Sequence, residues 1–429
     1  MEKFIIRGSG TLSGKIHVNG SKNAALPILA ACLLTDEDSV LHSIPALSDC
    51  LAMKSILENF GAQVFRSSLK NSLVIKTNNL KFSQVPYELT SAIRASFLVM
   101  GPILARFKQA KLMMPGGCNI GQRPIDLHLK GFAALGAKID VSHGQITASA
   151  KKLVGDKIYL DFPSVGATEN IMMAAVLASG VTIIENSATE PEIVDLANFL
   201  NAMGANVRGA GTNTIKITGV ERLHGANYTI IPDRIEAGTL MAAVAARGGE
   251  IFLEGVAAEH LKPVIAKLRE MNVEVSEAAT GLTVKSSGFR TLASTEIKTM
   301  PHPGFPTDLQ APFTSALALA NGNSTVCETV FENRFMHVPE LLKMGANIKI
   351  ASRTALIEGV KRLSGARVSA TDLRAGAALV IAAICADGPS EIENIHHIDR
   401  GYYKLEERLS SLGVVIERVG SEAGMVEVG

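Results

Sequence analysis

The sequence has almost no charge of either sign to spare, since 42 lysines and arginines face 41 aspartates and glutamates. That balance sets up no overall field toward nucleic acid or an anionic membrane surface, so an anion site has to be local and its ligand small. Cysteine is scarce. The five present (Cys32, Cys50, Cys118, Cys327 and Cys385) are odd in number and scattered, with no CxxC spacing, which argues against a disulfide framework or a zinc site and fits a reducing cytoplasm. Long apolar runs are missing too: residues 375–386 (AGAALVIAAICA) reach about twelve, against the roughly twenty that span a bilayer. Such runs read as buried helices, and no membrane partner is expected. The opening MEKFIIRGSG carries charge but no apolar signal-peptide core; it reads as a strand and turn, and a cytoplasmic location is expected. No Walker motif, GxGxxG behind a strand, HExxH or serine elbow occurs, so kinase, dehydrogenase and hydrolase readings lose their usual support.

What the chain does have is apolar residues, 47 % of 429, enough for two or three domains with real cores. It also has an internal period. The pattern apolar-Gly-Ala before an apolar strand recurs at Gly61 (FGAQV), Gly136 (LGAKI), Gly204 (MGANV) and Gly345 (MGANI), with weaker copies at Asn272 (MNVEV) and Gly413 (LGVVI). Successive markers are 75, 68, 68, 73 and 68 residues apart, the regularity of six internal repeats. Ahead of each marker comes the same order: an apolar Ala-rich helix, a short strand, a loop, and an amphipathic helix whose end is the marker. In the third copy these are ATENIMMAAVLASG, VTIIEN, SATEPE and IVDLANFLNAMG. The other apolar helices are NAALPILAACLL, SAIRASFLVMGPILARF, IEAGTLMAAVAARG, DLQAPFTSALALANG and LRAGAALVIAAICADG. A helix that is apolar all round has to be enclosed on every side. Six of them imply an α/β protein turned inside out, with helices in the middle of the cores, sheets outside, and two groups of three. An α-solenoid or a plain doubly wound sheet accounts less well for the strands and the period.

The starts of these helices are polar: Ser21, Lys22 and Asn23; Arg94; Ser164 and Thr168; Asp233 and Arg234; Thr307 and Asp308; Asp372 and Arg374. Serine, threonine and aspartate there are common N-caps. Lysine and arginine are not, because a cation in the first turn opposes the helix dipole and calls for a negative partner. Free N–H groups and converging cations together make a phosphate site.

The loop KLMMPGGCNIGQRPIDLHLKG, in the second repeat, is rich in glycine and polar residues, and reads as a mobile lid. Cys118 lies in it, where exposure and nearby cations would make a thiol reactive. The other four cysteines read as inert packing residues. Asp308 follows HPGFPT, a stiff presenting segment, and suits either a general base or an N-cap. Arg400, in IENIHHIDRGYYK, sits in a loop after a strand.

Nine segments, SKNAALPILA, LTSAIRASFLVMGPILARF, PGGCNIGQRPIDLH, DFPSVGATENIM, PDRIEAGT, HPGFPTDLQAPF, VFENRFMHVPEL, ATDLRAGAALV and HHIDRGYYKLEE, together resemble the UDP-N-acetylglucosamine 1-carboxyvinyltransferases, relatives of 5-enolpyruvylshikimate-3-phosphate synthase, along nearly the whole chain. The resemblance implies an inverted α/β barrel of two similar three-repeat domains, residues 22–231 with the Cys118 loop and residues 232–429 plus 1–21 with Asp308 and Arg400, and an active site in the cleft between them. It implies transfer of the enolpyruvyl group of phosphoenolpyruvate to the 3-hydroxyl of UDP-N-acetylglucosamine, with release of phosphate, as the first committed step of peptidoglycan synthesis. By matching motif positions, Cys118 is the general acid, Asp308 the base, and Lys22 and Arg400 complete the catalytic set. Phosphoenolpyruvate falls to Lys22, Asn23, Arg123 and Arg400. The UDP-sugar falls to Arg94, Arg123, Pro124, Ile125, Asp126, Leu127, Phe162, Pro163, Ser164, Val165, Asp308 and Val330, with Arg334, Asp372 and Arg374 in support. Ser48 stands where some members have a phosphate-contacting lysine. No metal, cofactor or nucleic acid is implied, and the oligomeric state is left open.

Overall fold

The structure, a computed structural model, describes residues 2–8, 10–67, 71–116, 121 and 124–420. The chain divides into two compact units, Asn19–Asp233 and a discontinuous one made of Met1–Val18 and Arg234–Gly429. Each unit has its own contiguous apolar core.

In Asn19–Asp233 the described strands form three sheets. One runs Asn227–Thr229, Ser39–His42, Leu73–Lys76, Gln63–Arg66; a second runs Asn206–Arg208, Thr214–Thr218, Val181–Glu185, Lys157–Tyr159; the third has Gln109–Met113, Gln145–Ser149 and Lys138–Ser142. The discontinuous unit has three four-stranded sheets. Strand Lys3–Arg7 lies between Pro389–Glu393 and Val415–Val419 in one of them, and Leu12–His17 is the edge of another, beside Gly249–Glu254. Every four-stranded sheet follows one rule: a single edge strand is parallel to its neighbour, and the other pairs are antiparallel. Strands such as Val181–Glu185 and Asn323–Cys327 bury alternate residues, which leaves one sheet face for the core and one for water.

The cores are filled by helices with no wet face. All of Arg234–Arg247 except Arg247, all of Leu373–Cys385 except Leu373, and the whole of Gln310–Leu317 are buried. Lys22–Ala31 and Val165–Ala175 are enclosed almost as fully. Their sequences offer no polar stripe, so burial on all sides is the arrangement that removes their apolar surface from water. Among the described residues no helix is long and apolar enough to cross a membrane.

The six marker positions share one geometry. Gly61, Gly136, Gly204, Gly345 and Gly413 have φ between 87° and 95°, and Asn272 has φ 61°. The residue after each donates its N–H to the carbonyl five positions back, as Ala62 does to Leu57 and Val273 to Leu268. This is a left-handed helix end. It requires glycine, or asparagine at some strain, and the next strand starts two residues later each time.

The apolar stretch SAIRASFLVMGPILARF is not the single helix expected. It forms Tyr87–Ala92, a 3-10 segment Arg94–Val99, and Met100–Phe107, with Ile93 extended between the first two at φ −138° and ψ 142°. Pro102 has no N–H for the Leu98 carbonyl, so one continuous helix would lose that bond; in the first turn of a new helix no such bond is needed.

Candidate active site

In Asn19–Asp233 the site grows from the start of helix Lys22–Ala31. Ser21 Oγ caps it, accepting the Ala24 N–H at 3.3 Å. The Lys22 N–H donates to Asp233 Oδ2 at 3.1 Å, so a carboxylate lies on the positive end of the helix dipole. The Lys22 side chain carries its charge into a nearly buried place, where Nζ is 2.6 Å from Asp49 Oδ2. Asp49 itself belongs to the first turn of helix Ser48–Asn59, a favourable place for an acid. Asn23 is half-buried one residue on. The cation that the sequence flags thus has a partner that the sequence reading passed over.

Arg94 begins its 3-10 segment, and Nη1 reaches the Pro115 carbonyl at 3.5 Å, just ahead of residues 117–120. Behind it lies His128, whose basicity burial first and Arg94 second push down to about 3. Asn170 bonds all round: Oδ1 accepts the Gly101 N–H at 2.7 Å, and Nδ2 donates to the Phe97 carbonyl at 2.8 Å and lies 3.1 Å from His128 Nδ1. Ser164 caps helix Val165–Ala175 through Ala167 N–H, with Pro163 and Val165 half-buried and Phe162 exposed beside it. Ile125 is buried, Leu127 half-buried, and Pro124 and Asp126 exposed, at the start of helix Asp126–Ala134. Cys118 and Arg123 lie outside the described residues.

In the discontinuous unit the centre is Asp308. Arg334 Nη2 donates to Oδ1 at 2.6 Å and Arg374 Nη2 to Oδ2 at 2.9 Å, while the Asp308 side chain keeps 24 % of its surface exposed. Burial alone would raise its pKa, but the Arg374 and Arg334 guanidiniums outweigh it and hold the carboxyl well below the usual carboxylate range. Arg374 is steadied in turn. Its Nη1 donates to the Tyr402 hydroxyl at 3.1 Å, which lies 2.9 Å from Thr239 Oγ1, and its backbone N–H is held by Asp372 Oδ1 at 2.8 Å.

Three cap readings give way here. Asp308 caps nothing, since its side chain is spent on the two arginines and Leu309 is the cap residue of Gln310–Leu317. Thr168 and Thr307 are not caps either: Thr168 Oγ1 donates to Ser164 O and accepts the Ala188 N–H, and Thr307 Oγ1 joins Arg334 to Glu328. Asp372, by contrast, is a true N-cap, with Oδ1 also accepting the Ala375 N–H at 3.0 Å. Val330 is half-buried, its N–H taken by Glu328. Arg400 ends the 3-10 turn Ile395–Arg400, on which Arg418 grips the neighbouring Asp399 at 2.5 and 3.2 Å. Asp308, Arg334, Asp372 and Arg374 therefore come together, and the turn that Arg400 ends runs on through Gly401 to Tyr402, the residue that holds Arg374. Asp49, Glu328 and Arg418 were not foreseen; only Asp49, an acid in a first helical turn, had a local signal. Among the described residues no cluster of three or more His, Cys, Asp or Glu side chains is placed to hold a metal ion.

Buried helices, with cations and a clamped carboxylate at their starts, define the class: this is the α/β fold of the enolpyruvyl transferases. The solved structure of the enolpyruvyl transferase NikO from Streptomyces tendae matches it with a TM-score of 0.88 at 24 % identity, covering 98 % of this chain and 99 % of that one. An EPSP synthase from Acinetobacter baumannii matches with 0.75 at 19 %, covering 98 % and 100 %. The chain belongs to the EPSP synthase (3-phosphoshikimate 1-carboxyvinyltransferase) family, whose model matches residues 6–409. Within it, the chain is 57 % identical to UDP-N-acetylglucosamine 1-carboxyvinyltransferase 1 of Caldanaerobacter subterraneus subsp. tengcongensis over 97 % of its own length and 99 % of the relative's. It is 58 % identical to UDP-N-acetylglucosamine 1-carboxyvinyltransferase 2 of Carboxydothermus hydrogenoformans, over 98 % and 100 %.

Proposed function

We propose that this chain transfers the enolpyruvyl group of phosphoenolpyruvate to the 3-hydroxyl of UDP-N-acetylglucosamine and releases phosphate, the first committed step of peptidoglycan synthesis. The observation that carries the reading is 57 and 58 % identity to two relatives bearing that activity in their names, across essentially their whole length.

The chemistry is addition followed by elimination. Protonation of the methylene carbon gives an oxocarbenium-like centre, the sugar hydroxyl attacks it, and the tetrahedral adduct loses a methyl proton and phosphate. Cys118, from residues 22–231, is the acid, and Asp308, from residues 232–429, is the base. Lys22, Asn23, Arg123 and Arg400 hold the phosphate and carboxylate of phosphoenolpyruvate by preorganised charge. Arg94, residues 123–127 and 162–165, Asp308 and Val330 receive the UDP-sugar. Asp308 is ionised at the outset, as a base has to be. Its two arginines make it a weak base, so it takes the proton only as the new C–O bond forms and the hydroxyl acidifies. The recurrent left-handed helix ends and the shared strand rule support six copies of one unit in two inverted barrels.

Phosphate release from phosphoenolpyruvate, measured with UDP-N-acetylglucosamine, with 3-phosphoshikimate and with neither, tests the reading. Release that depends on the UDP-sugar is expected. Release with 3-phosphoshikimate alone would reassign the acceptor.

A further inference from the structure

Glu328 has no place in the machinery so far, yet it is buried to 1 % exposure at the end of strand Asn323–Cys327. Both carboxylate oxygens are engaged. Oε1 accepts from Thr299 Oγ1 at 2.8 Å and from the N–H groups of Val330 at 2.8 Å and Phe331 at 3.1 Å; Oε2 accepts from Thr307 Oγ1 at 2.8 Å. Its backbone is fixed as well, through its own N–H to Arg353 O at 2.8 Å and Arg353 Nε to its carbonyl at 2.9 Å.

The direction of these bonds matters. A carboxylate only accepts, so the single proton of the Thr307 hydroxyl is committed to Glu328, and the oxygen lone pairs are left for Arg334 Nη1, 2.9 Å away. The same guanidinium donates through Nη2 to Asp308 and lies over the Phe331 ring, 5.1 Å from its centroid. One buried carboxylate thus ties the turn bearing Val330 and Phe331 to the turn bearing Asp308. Chains of this kind polarise each member toward the next.

We infer that Glu328 is a positioning residue, which sets the Thr307 hydroxyl so that Arg334 is held in the orientation that fixes Asp308. The inference rests on the reading of Asp308 as the base of the reaction. Glu328→Gln keeps the shape and can keep the three bonds to Oε1, but it puts an N–H2 where Oε2 received the Thr307 proton. Thr307→Val removes the middle of the chain. Thr299→Val removes a bond of the same carboxylate that does not lead to Arg334.

The test measures kcat, both KM values and the thermal midpoint for the three variants and for Glu328→Gln combined with Thr307→Val. Glu328→Gln and Thr307→Val should each lower kcat about tenfold or more, the scale of a lost hydrogen bond to a charged group. The double variant should be no slower than the slower single one, and Thr299→Val should lower the midpoint while keeping kcat within about twofold. Losses that multiply in the double variant, or a Thr299→Val loss of kcat equal to that of Thr307→Val, would overturn the relay. If Glu328→Gln does not fold, the comparison of Thr307→Val with Thr299→Val decides alone. Wild type assayed alongside separates the two readings: without phosphate release by wild type the proposed activity fails. The relay is then judged in crystals of Glu328→Gln, where an Arg334 guanidinium unmoved from Asp308 counts against it.

Discussion

Lys22 Nζ lies 2.6 Å from Asp49 Oδ2, and 9 % and 6 % of the two side chains are exposed. In such surroundings a charge left alone is far costlier than a pair. Asp49→Ala should therefore destabilise the protein by about 3 kcal/mol or more, the scale seen when one partner of a buried pair is removed. Lys22→Ala in the same background should recover part of that loss. Urea unfolding of the two single variants and the double closes the cycle, and additive losses would mean that the two charges do not depend on each other.

Asp308 gives the protein an acid limb of known sign. Its carboxyl is held well below the value of 3.8 that it has when unperturbed. For a depressed acid, the stabilisation is complete above the unfolded value and is lost as pH falls through the folded one. The gap in stability between wild type and Asp308→Asn should thus be constant above about pH 4 and shrink below it, by the linkage of proton binding to folding. Turnover should fall in Asp308→Ala by at least about a hundredfold, the lower end of what a general base contributes. Retained turnover in that variant would remove Asp308 from the base role.

How far the sequence announced all this depends on whether the constraint is local. The six left-handed helix ends were legible because glycine alone accepts φ near 90°, and asparagine is among the few residues that enter the left-handed region at all, as Asn272 does at 61°. The buried helices were legible because nothing in them can face water. Asp308 was ambiguous, since a cap and a clamped carboxylate use the same side chain, and the deciding partner, Arg374, lies 66 residues along the chain. Glu328 carried no local signal in the sequence. Its role is set by Thr299, Thr307 and two backbone N–H groups, which no periodicity connects. The break at Ile93 was hidden by apolar continuity.

The cysteines divide by environment. Burial pushes the thiols of Cys32, Cys50 and Cys385 up to about 12, so at pH 8 they hold almost no thiolate and should resist alkylation in the native protein. Cys327 is half-buried at the end of its strand. Native protein treated with an epoxide such as fosfomycin and mapped by peptide mass should carry the adduct on Cys118. Cys118→Asp should keep turnover and lose the adduct, because a carboxylic acid can also give a proton to carbon. Inactivation that follows a label on Cys327 instead would displace Cys118 as the acid.

His128 should be neutral far into the acid range, in one defined tautomer. Asn170 Oδ1 is committed to the Gly101 N–H, so Nδ2 is the atom that faces His128, and it donates to Nδ1. Nδ1 therefore carries no proton and Nε2 does. Nitrogen chemical shifts at pH 7 should report that tautomer, and a protonated Nδ1 would contradict the bond. With a folded value pushed down to about 3 against 6.5 when unperturbed, the unfolded chain takes up a proton between those limits that the folded chain refuses. Stability should then fall as pH drops below about 6.5, with His128 supplying a slope approaching about 1.4 kcal/mol per pH unit. His128→Gln keeps an acceptor for Asn170 and cannot take up the proton. Its stability should decline less steeply than that of wild type from pH 6 to pH 4 in urea titrations, and parallel curves would show that His128 is protonated in the fold.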